Sequence, residues 1–270
     1  MKKPPTQQPK KRTMTSTRDD GAIRLNQYLA QLGIASRRGA DEIIAAGRVR
    51  IDGEIVRELG TKVIPAEQSV TLDGKAVGRP QRRVVLILHK PKGYVSTVSD
   101  PEGRPTVIDL VRPIARKQRL FPVGRLDINT TGALLITNDG ELCYRLTHPR
   151  YSIPRVYQVR VRGDVSNVQL RRLLRLAQEG IRDREQPRAT RPSVEVVKQL
   201  EKEAILKVTL LEGRNRQVRL MCEEVGLWVV ALKRLSFGPV SVRKLPLGAA
   251  RPLERRELDR LDALTKGKAR

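Results

Sequence analysis

Aromatic side chains are scarce: one Trp, five Tyr and two Phe make up 3% of the 270 residues. A platform that grips single strands by stacking needs several such rings, so stacking is not where affinity would come from. Histidine and cysteine are as sparse, with His89, His148, Cys143 and Cys222 the full set. The two cysteines stand too far apart for a C-x-x-C motif. No zinc-ligand spacing exists, and no metal is expected. Both cysteines sit in apolar helical patterns and read as buried thiols. No apolar run approaches the roughly 20 residues of a membrane span, and no signal-peptide core is evident. The expectation is a cytoplasmic chain with no membrane partner.

Positive charge is what the sequence has in excess. Lys and Arg outnumber Asp and Glu 54 to 29, a net charge of +25. That balance points to an acidic polymer as partner. The excess is not confined to a tail, since residues 81–250 hold 32 basic and 16 acidic side chains. A cationic face on a folded domain is implied, with phosphate contacts dominating affinity. The length suits one or two domains with a sizeable core.

Residues 1–21 are polar, basic and rich in Pro, Thr and Gln, the composition of a disordered tail. A small module follows over 22–79. Leu25, Tyr28, Leu29 and Leu32 form the stripe of an amphipathic helix that Gly33 stops. Ser36 is placed to cap a second helix, Arg37–Ala46. The stretches VRIDGEIV and VTLDGKAV then read as two hairpin-like strand pairs. Arg37 and Arg38 stand at a helix N-terminus, where the dipole does not favour cations, which suggests an anion bound nearby.

Residues 80–250 read as a larger domain, and 251–270 as a basic C-terminal helix and tail. Arg83–Leu88 is a buried strand broken by His89-Lys90-Pro91. Asp100–Arg119 looks like loop, its prolines breaking any long helix. Phe121–Leu142, FPVGRLDINTTGALLITNDGEL, sets Asp127 between a turn and an apolar run. One acid beside one Arg at a Gly-rich loop fits an active-site carboxylate. On spacing alone it fits a surface Asp as well. Val156–Val161 alternates as a strand containing Tyr157, and a capping box at Ser166–Gln169 starts a helix that Gly180 stops. Ile205–Leu210 leads as a strand into EGRNRQVRLMC, which opens another helix.

Four segments carry a resemblance. GRLDINTTGALLITNDGEL, HKPKGYVST and EGRNRQVRLMC are similar to the motifs of RsuA-type (RsuA/RluB-like) ribosomal RNA pseudouridine synthases. RLNQYLAQLGIASRRGADEIIAAGRVRIDGEIV resembles the S4 RNA-binding domain. His89, Ala133 and Leu220 depart from the usual Asn, Leu and Arg, and the departure at Leu220 implies one RNA contact fewer.

The resemblance implies an α+β fold, an S4-like module ahead of a catalytic domain with a mixed, mainly antiparallel sheet and a central basic cleft. It implies isomerisation of uridine to pseudouridine in ribosomal RNA, with no cofactor. Asp127 would face the sugar, Tyr157 would lie against the target base, and Arg219 would pair with Asp127. Arg37, Arg38, Arg48 and Arg50 would form an RNA face on the small module. Lys90, Arg125, Arg214 and Arg216 would contact RNA in the larger domain. The LTHPRYSIPR stretch and basic C-terminus favour large-subunit (23S) rRNA over the small-subunit (16S) alternative. A non-catalytic assembly factor is the reading from another class, and intact Asp127, Tyr157 and Arg219 argue against it. A sugar hydrolase built on Asp127 would leave the charge and the S4-like module unexplained.

Overall fold

The computed structural model describes residues 21–78, 81–115, 118–183 and 186–266. The expected disordered tail, residues 1–20 above all, lies outside them. The chain divides into two compact units, Met1–Pro80 and Gln81–Arg270.

In the first unit, β1 (Ile23–Arg24) leads into α1 (Leu25–Gln31) and α2 (Arg37–Ala45). The helical spacing of Leu25, Tyr28 and Leu29 puts them on one face, against Ala40 and Ile44. Ser36 caps α2, its Oγ accepting from the Gly39 N–H at 2.9 Å. Strands β2 (Val49–Ile51), β3 (Glu54–Val56), β4 (Lys62–Val63), β5 (Val70–Leu72) and β6 (Lys75–Ala76) follow. The four-stranded sheet runs β3-β2-β5-β6, and β4 pairs with β1. Asp52-Gly53 and Asp73-Gly74 have positive φ at both positions, the turn whose twist matches that of the strands it joins.

The second unit contains β7 (Val85–Lys90), α3 (Val107–Ala115), β8 (Phe121–Pro122), β9 (Thr131–Thr137) and α4 (Gly140–Thr147). Next come β10 (Arg155–Gly163), α5 (Asn167–Glu179), β11 (Ile181–Asp183), β12 (Gln186–Thr190), β13 (Ser193–Gln199) and β14 (Glu203–Leu210). The chain continues through α6 (Gln217–Glu224), β15 (Leu227–Phe237), β16 (Val240–Ser241), β17 (Ala250–Pro252) and α7 (Arg255–Lys266). The main sheet runs β13-β14-β10-β15-β9-β7-β17, with β16 on β15 and β8 on β9. Every pairing is antiparallel except β15 with β9, where Lys233 and Arg234 face Thr131 and Gly132. One face of the sheet packs Leu134, Val159, Leu206 and Val208 against α3, α5 and α6. At β7 and β9 the other face is covered too, by α4 and α7, so every residue of β7 is buried.

One expectation is corrected. Residues 107–115 are helical despite Pro113. The Thr106 N–H and hydroxyl both donate to Asp109 at the start of the helix, and Val107, Val111 and Ala115 repeat every turn into the core. Pro113 falls near the C-terminal end, where a missing N–H removes one bond rather than splitting a long helix. The C-terminal helix read from the sequence is present as α7. β17 pairs with β7, and Leu258, Leu261 and Leu264 of α7 join the second core. Among the described residues no helix is long and apolar enough to cross a membrane.

Candidate active site

Asp127 owes its position to an unusually well-tied loop between β8 and β9. The Thr130 N–H donates to the Asp127 carbonyl at 2.9 Å, closing a turn. The Ser96 hydroxyl donates to the Leu126 carbonyl at 2.8 Å and accepts from the Leu126 N–H. The Gly93 N–H reaches the Ile128 carbonyl. Beneath the loop, the ammonium of Lys90 donates to the carbonyls of Pro91, Asp127, Ile128 and Thr130 at 3.0–3.3 Å. Lys90 is 0% exposed. Burial pushes its pKa down to about 8, while the negative charge of Asp127 pulls the other way. Lys90 is thus no RNA contact: a side chain at inward strand parity, enclosed on both sheet faces, cannot reach a phosphate.

The loop is held by its backbone, which leaves the Asp127 carboxylate exposed and without an ion pair among the described residues. It faces a cleft of about 250 Å³. Tyr157, on β10, lines the same cleft with Leu126, Leu210 and Leu232. The rest is strongly cationic: Arg125, Arg155, Arg214, Arg216 and Arg234 also line it. Five guanidiniums to one carboxylate make a field that draws an anion in.

These arginines are held differently. Arg125 and Arg216 are exposed at the mouth. Arg216 precedes α6 in the left-handed region, at φ 49°, and lies 3.6 Å from Glu223. Arg214 is mostly buried and paired with Glu212 at 2.9 Å, so it meets RNA only inside the cleft. Arg155 and Arg234, both in the cleft wall, are 5% and 2% exposed. Strand parity carried the signal: Arg155 shares a face with Tyr157, Val159 and Val161, and Arg234 with Leu232.

Arg219 does not join this wall. Its Nη1 donates to the Val229 carbonyl at 3.2 Å, and no ion pair links it to Asp127 among the described residues. The two share an adjacent hollow of about 380 Å³, with Lys92, Asn129 and Arg216. The expected pair is therefore within one depression but unformed in the chain without RNA.

On the first unit, Arg37, Arg38, Arg48 and Arg50 are all exposed. Arg48 is neutralised by Asp73, which raises the guanidinium pKa through their hydrogen bond and lowers the carboxyl's. Arg37 reaches the Gln27 side chain at 3.3 Å, and Arg50 the Gly53 carbonyl at 3.0 Å. His89, off the cleft, bonds the Leu245 carbonyl at 2.6 Å through Nδ1, a structural role.

Residues 84–224 match the RNA pseudouridylate synthase family model, and 23–68 match the S4 domain. An uncharacterized RNA pseudouridine synthase of Aquifex aeolicus is 41% identical over 240 residues, 88% of this chain and 93% of that protein. The ribosomal large subunit pseudouridine synthase B of Bacillus subtilis is 41% identical over 244 residues, covering 89% and 96%. A crystal structure of a pseudouridylate synthase superposes with a TM-score of 0.61 at 28% identity, covering 88% and 99%.

Proposed function

The chain belongs to the RNA pseudouridine synthase family, isomerases here preceded by an S4 domain, and from that premise we propose that its substrate is uridine in ribosomal RNA of the large subunit. The observation that carries this is the exposed carboxylate of Asp127, without an ion pair among the described residues, at a cleft whose other charged lining groups are guanidiniums. The similarity to the Bacillus subtilis large-subunit enzyme, over nearly the whole of both chains, supports the choice of rRNA.

Breaking the bond between uracil and ribose builds positive charge on C1′. Asp127 is the group that traps or shields that charge, as a carboxylate does in retaining glycosidases. A hydrolase would complete the reaction with water. An isomerase must return the base to the same carbon, so water has to be kept from C1′ while the base turns. Tyr157 offers the base an apolar face, with a hydroxyl in reach for proton transfer. Arg125, at the mouth, is placed to fill the gap left by a uridine drawn out of its helix. Arg37, Arg38 and Arg50 add phosphate contacts from the S4 domain, and Arg216 does so beside the cleft. The substrate is free rRNA or a pre-ribosomal particle, met in the cytoplasm.

The test is a map of pseudouridines in 23S and 16S rRNA from cells with and without this chain. One 23S position should lose its modification in the deletion and regain it on complementation. Loss at a 16S position alone would move the substrate to the small subunit. An unchanged map of both would refute the rRNA assignment.

A further inference from the structure

Arg155 and Arg234 are two buried charges lining one cleft. Each guanidinium lies 4.9 Å from the centroid of the Phe237 ring. Arg155 gives its donors to the carbonyls of Leu146, Leu211 and Ile153. Arg234 donates through Nε to the Ala133 carbonyl at 2.6 Å, and its buried Nη2 has no hydrogen-bond partner. The neighbouring acid, Glu212, is paired with Arg214. Neither Arg155 nor Arg234 has an ion pair among the described residues. Burial and the charge of Arg234 both lower the pKa of Arg155. Two buried like charges without a counter-ion cost stability, and such arrangements concentrate at functional sites.

We infer that Arg155 and Arg234 hold the negative charge that uracil acquires when its bond to ribose breaks. The inference rests on the synthase reading above. When the N1–C1′ bond breaks, its electron pair leaves with the base, and the positive charge stays on C1′ facing Asp127. The uracil anion spreads its charge over O2 and O4, both hydrogen-bond acceptors. C5 then attacks C1′, the C5 proton departs, and N1 takes up a proton. Nothing is consumed, and the base is anionic between the two bonds.

A pre-oriented donor in a site poor in water is the means of stabilising such charge. Arg234 Nη2 is that donor. A phosphate is the competing anion, but Arg155 and Arg234 are buried in a wall they share with Leu232 and Phe237. The exposed Arg216 is the group that meets the RNA backbone. The same wall would disfavour cytosine, whose 4-amino group presents a donor where Arg needs an acceptor.

The experiment measures single-turnover consumption of the target nucleotide in an rRNA fragment carrying uridine or 5-fluorouridine, for wild type and Arg234→Gln. Gln keeps a donor but removes the charge. Arg155→Gln is the second variant if the first does not fold. The expected loss is on the order of 10²-fold on uridine and only about 10-fold on 5-fluorouridine, whose fluorine already stabilises the departing anion. RNA affinity should stay within a few-fold. Equal losses on both substrates would make the arginines structural and overturn the inference. A weaker Kd with a shallower salt slope would make them phosphate contacts and overturn it too. Failure of the rRNA reading looks different: the wild type itself would leave the uridine fragment unmodified.

Discussion

The ammonium of Lys90 donates to the main-chain carbonyl of Asp127 at 3.1 Å and not to its carboxylate. The buried cation thus fixes where the acid stands while leaving its charge for the substrate. Scaffold and chemistry are separated within one residue: backbone to Lys90, side chain to the cleft.

Replacing Lys90 by Met tests the scaffold. Met fills similar space without donors, so the carbonyls of Asp127, Ile128 and Thr130 lose this partner. An unmet buried polar group costs about 1–3 kcal/mol, offset in part by removing a desolvated charge. The expected outcome is a loss of about 2–4 kcal/mol in urea unfolding, with activity reduced further than stability. A stable, fully active Met protein would leave the loop to its own hydrogen bonds.

The depressed pKa of Lys90 gives stability and rate opposite slopes. The unfolded chain keeps this proton up to its ordinary value of 10.5, whereas the folded chain releases it from about 8. Between those values the unfolded state binds more protons, so the Lys90 contribution to stability rises with pH. The neutral amine has one donor fewer for the loop, so turnover should fall above about pH 8 while this contribution rises. Parallel pH–rate and pH–unfolding curves on wild type and Lys90→Met isolate it. A wild-type rate as flat as the variant's through pH 9.5 would contradict the coupling.

Gly132 admits no side chain. Its φ is 116°, and a Cβ there would lie 2.1 Å from the Arg234 carbonyl oxygen. That contact is the parallel junction of β9 with β15, so Gly132→Ala must part the strands that position both the Asp127 loop and Arg234. The expected cost exceeds about 4 kcal/mol, seen as a low melting temperature or insoluble protein. A normal melting temperature would mean the junction yields.

Much of this arrangement was legible in the sequence, and the rest failed for identifiable reasons. The Asp-Gly turns, the Ser36 cap and the alternation of Val156–Val161 are local signals, and the structure contains each. The Asp127 motif stood out because a resemblance supplied its meaning. Lys90 was misread because a Lys in a polar-looking break suggests solvent, and only the long-range pairing of β7 shows it enclosed. Arg234 carried only the parity it shares with Leu232, and which face of β15 that parity buries is set by long-range pairing with β10 and β9.

Asp127→Asn separates binding from chemistry. The amide keeps the size but loses the charge that C1′ requires, while the cationic wall and S4 domain remain. Isomerisation should vanish from rRNA-fragment assays and RNA affinity should stay within a few-fold. Wild-type turnover by the Asn protein would remove Asp127 from the mechanism.

Arg219 divides the plain reading from the mechanistic one most sharply. As a plain helix charge bonded to the Val229 carbonyl, its replacement by Ala should cost within about 0.5 kcal/mol of stability and nothing in rate. As the partner that meets Asp127 once RNA closes the hollow they share, it compensates a carboxylate from which water has been expelled. Its loss would then cost on the order of 10²-fold in rate with stability unchanged. Arg219→Lys should recover only part, since an ammonium lacks the planar two-pronged contact. The measurement is the rate of wild type, Ala and Lys on one rRNA fragment under single-turnover conditions. A wild-type rate from the Ala protein would return Arg219 to the surface. A loss that Lys partly restores would place its guanidinium on Asp127 during catalysis.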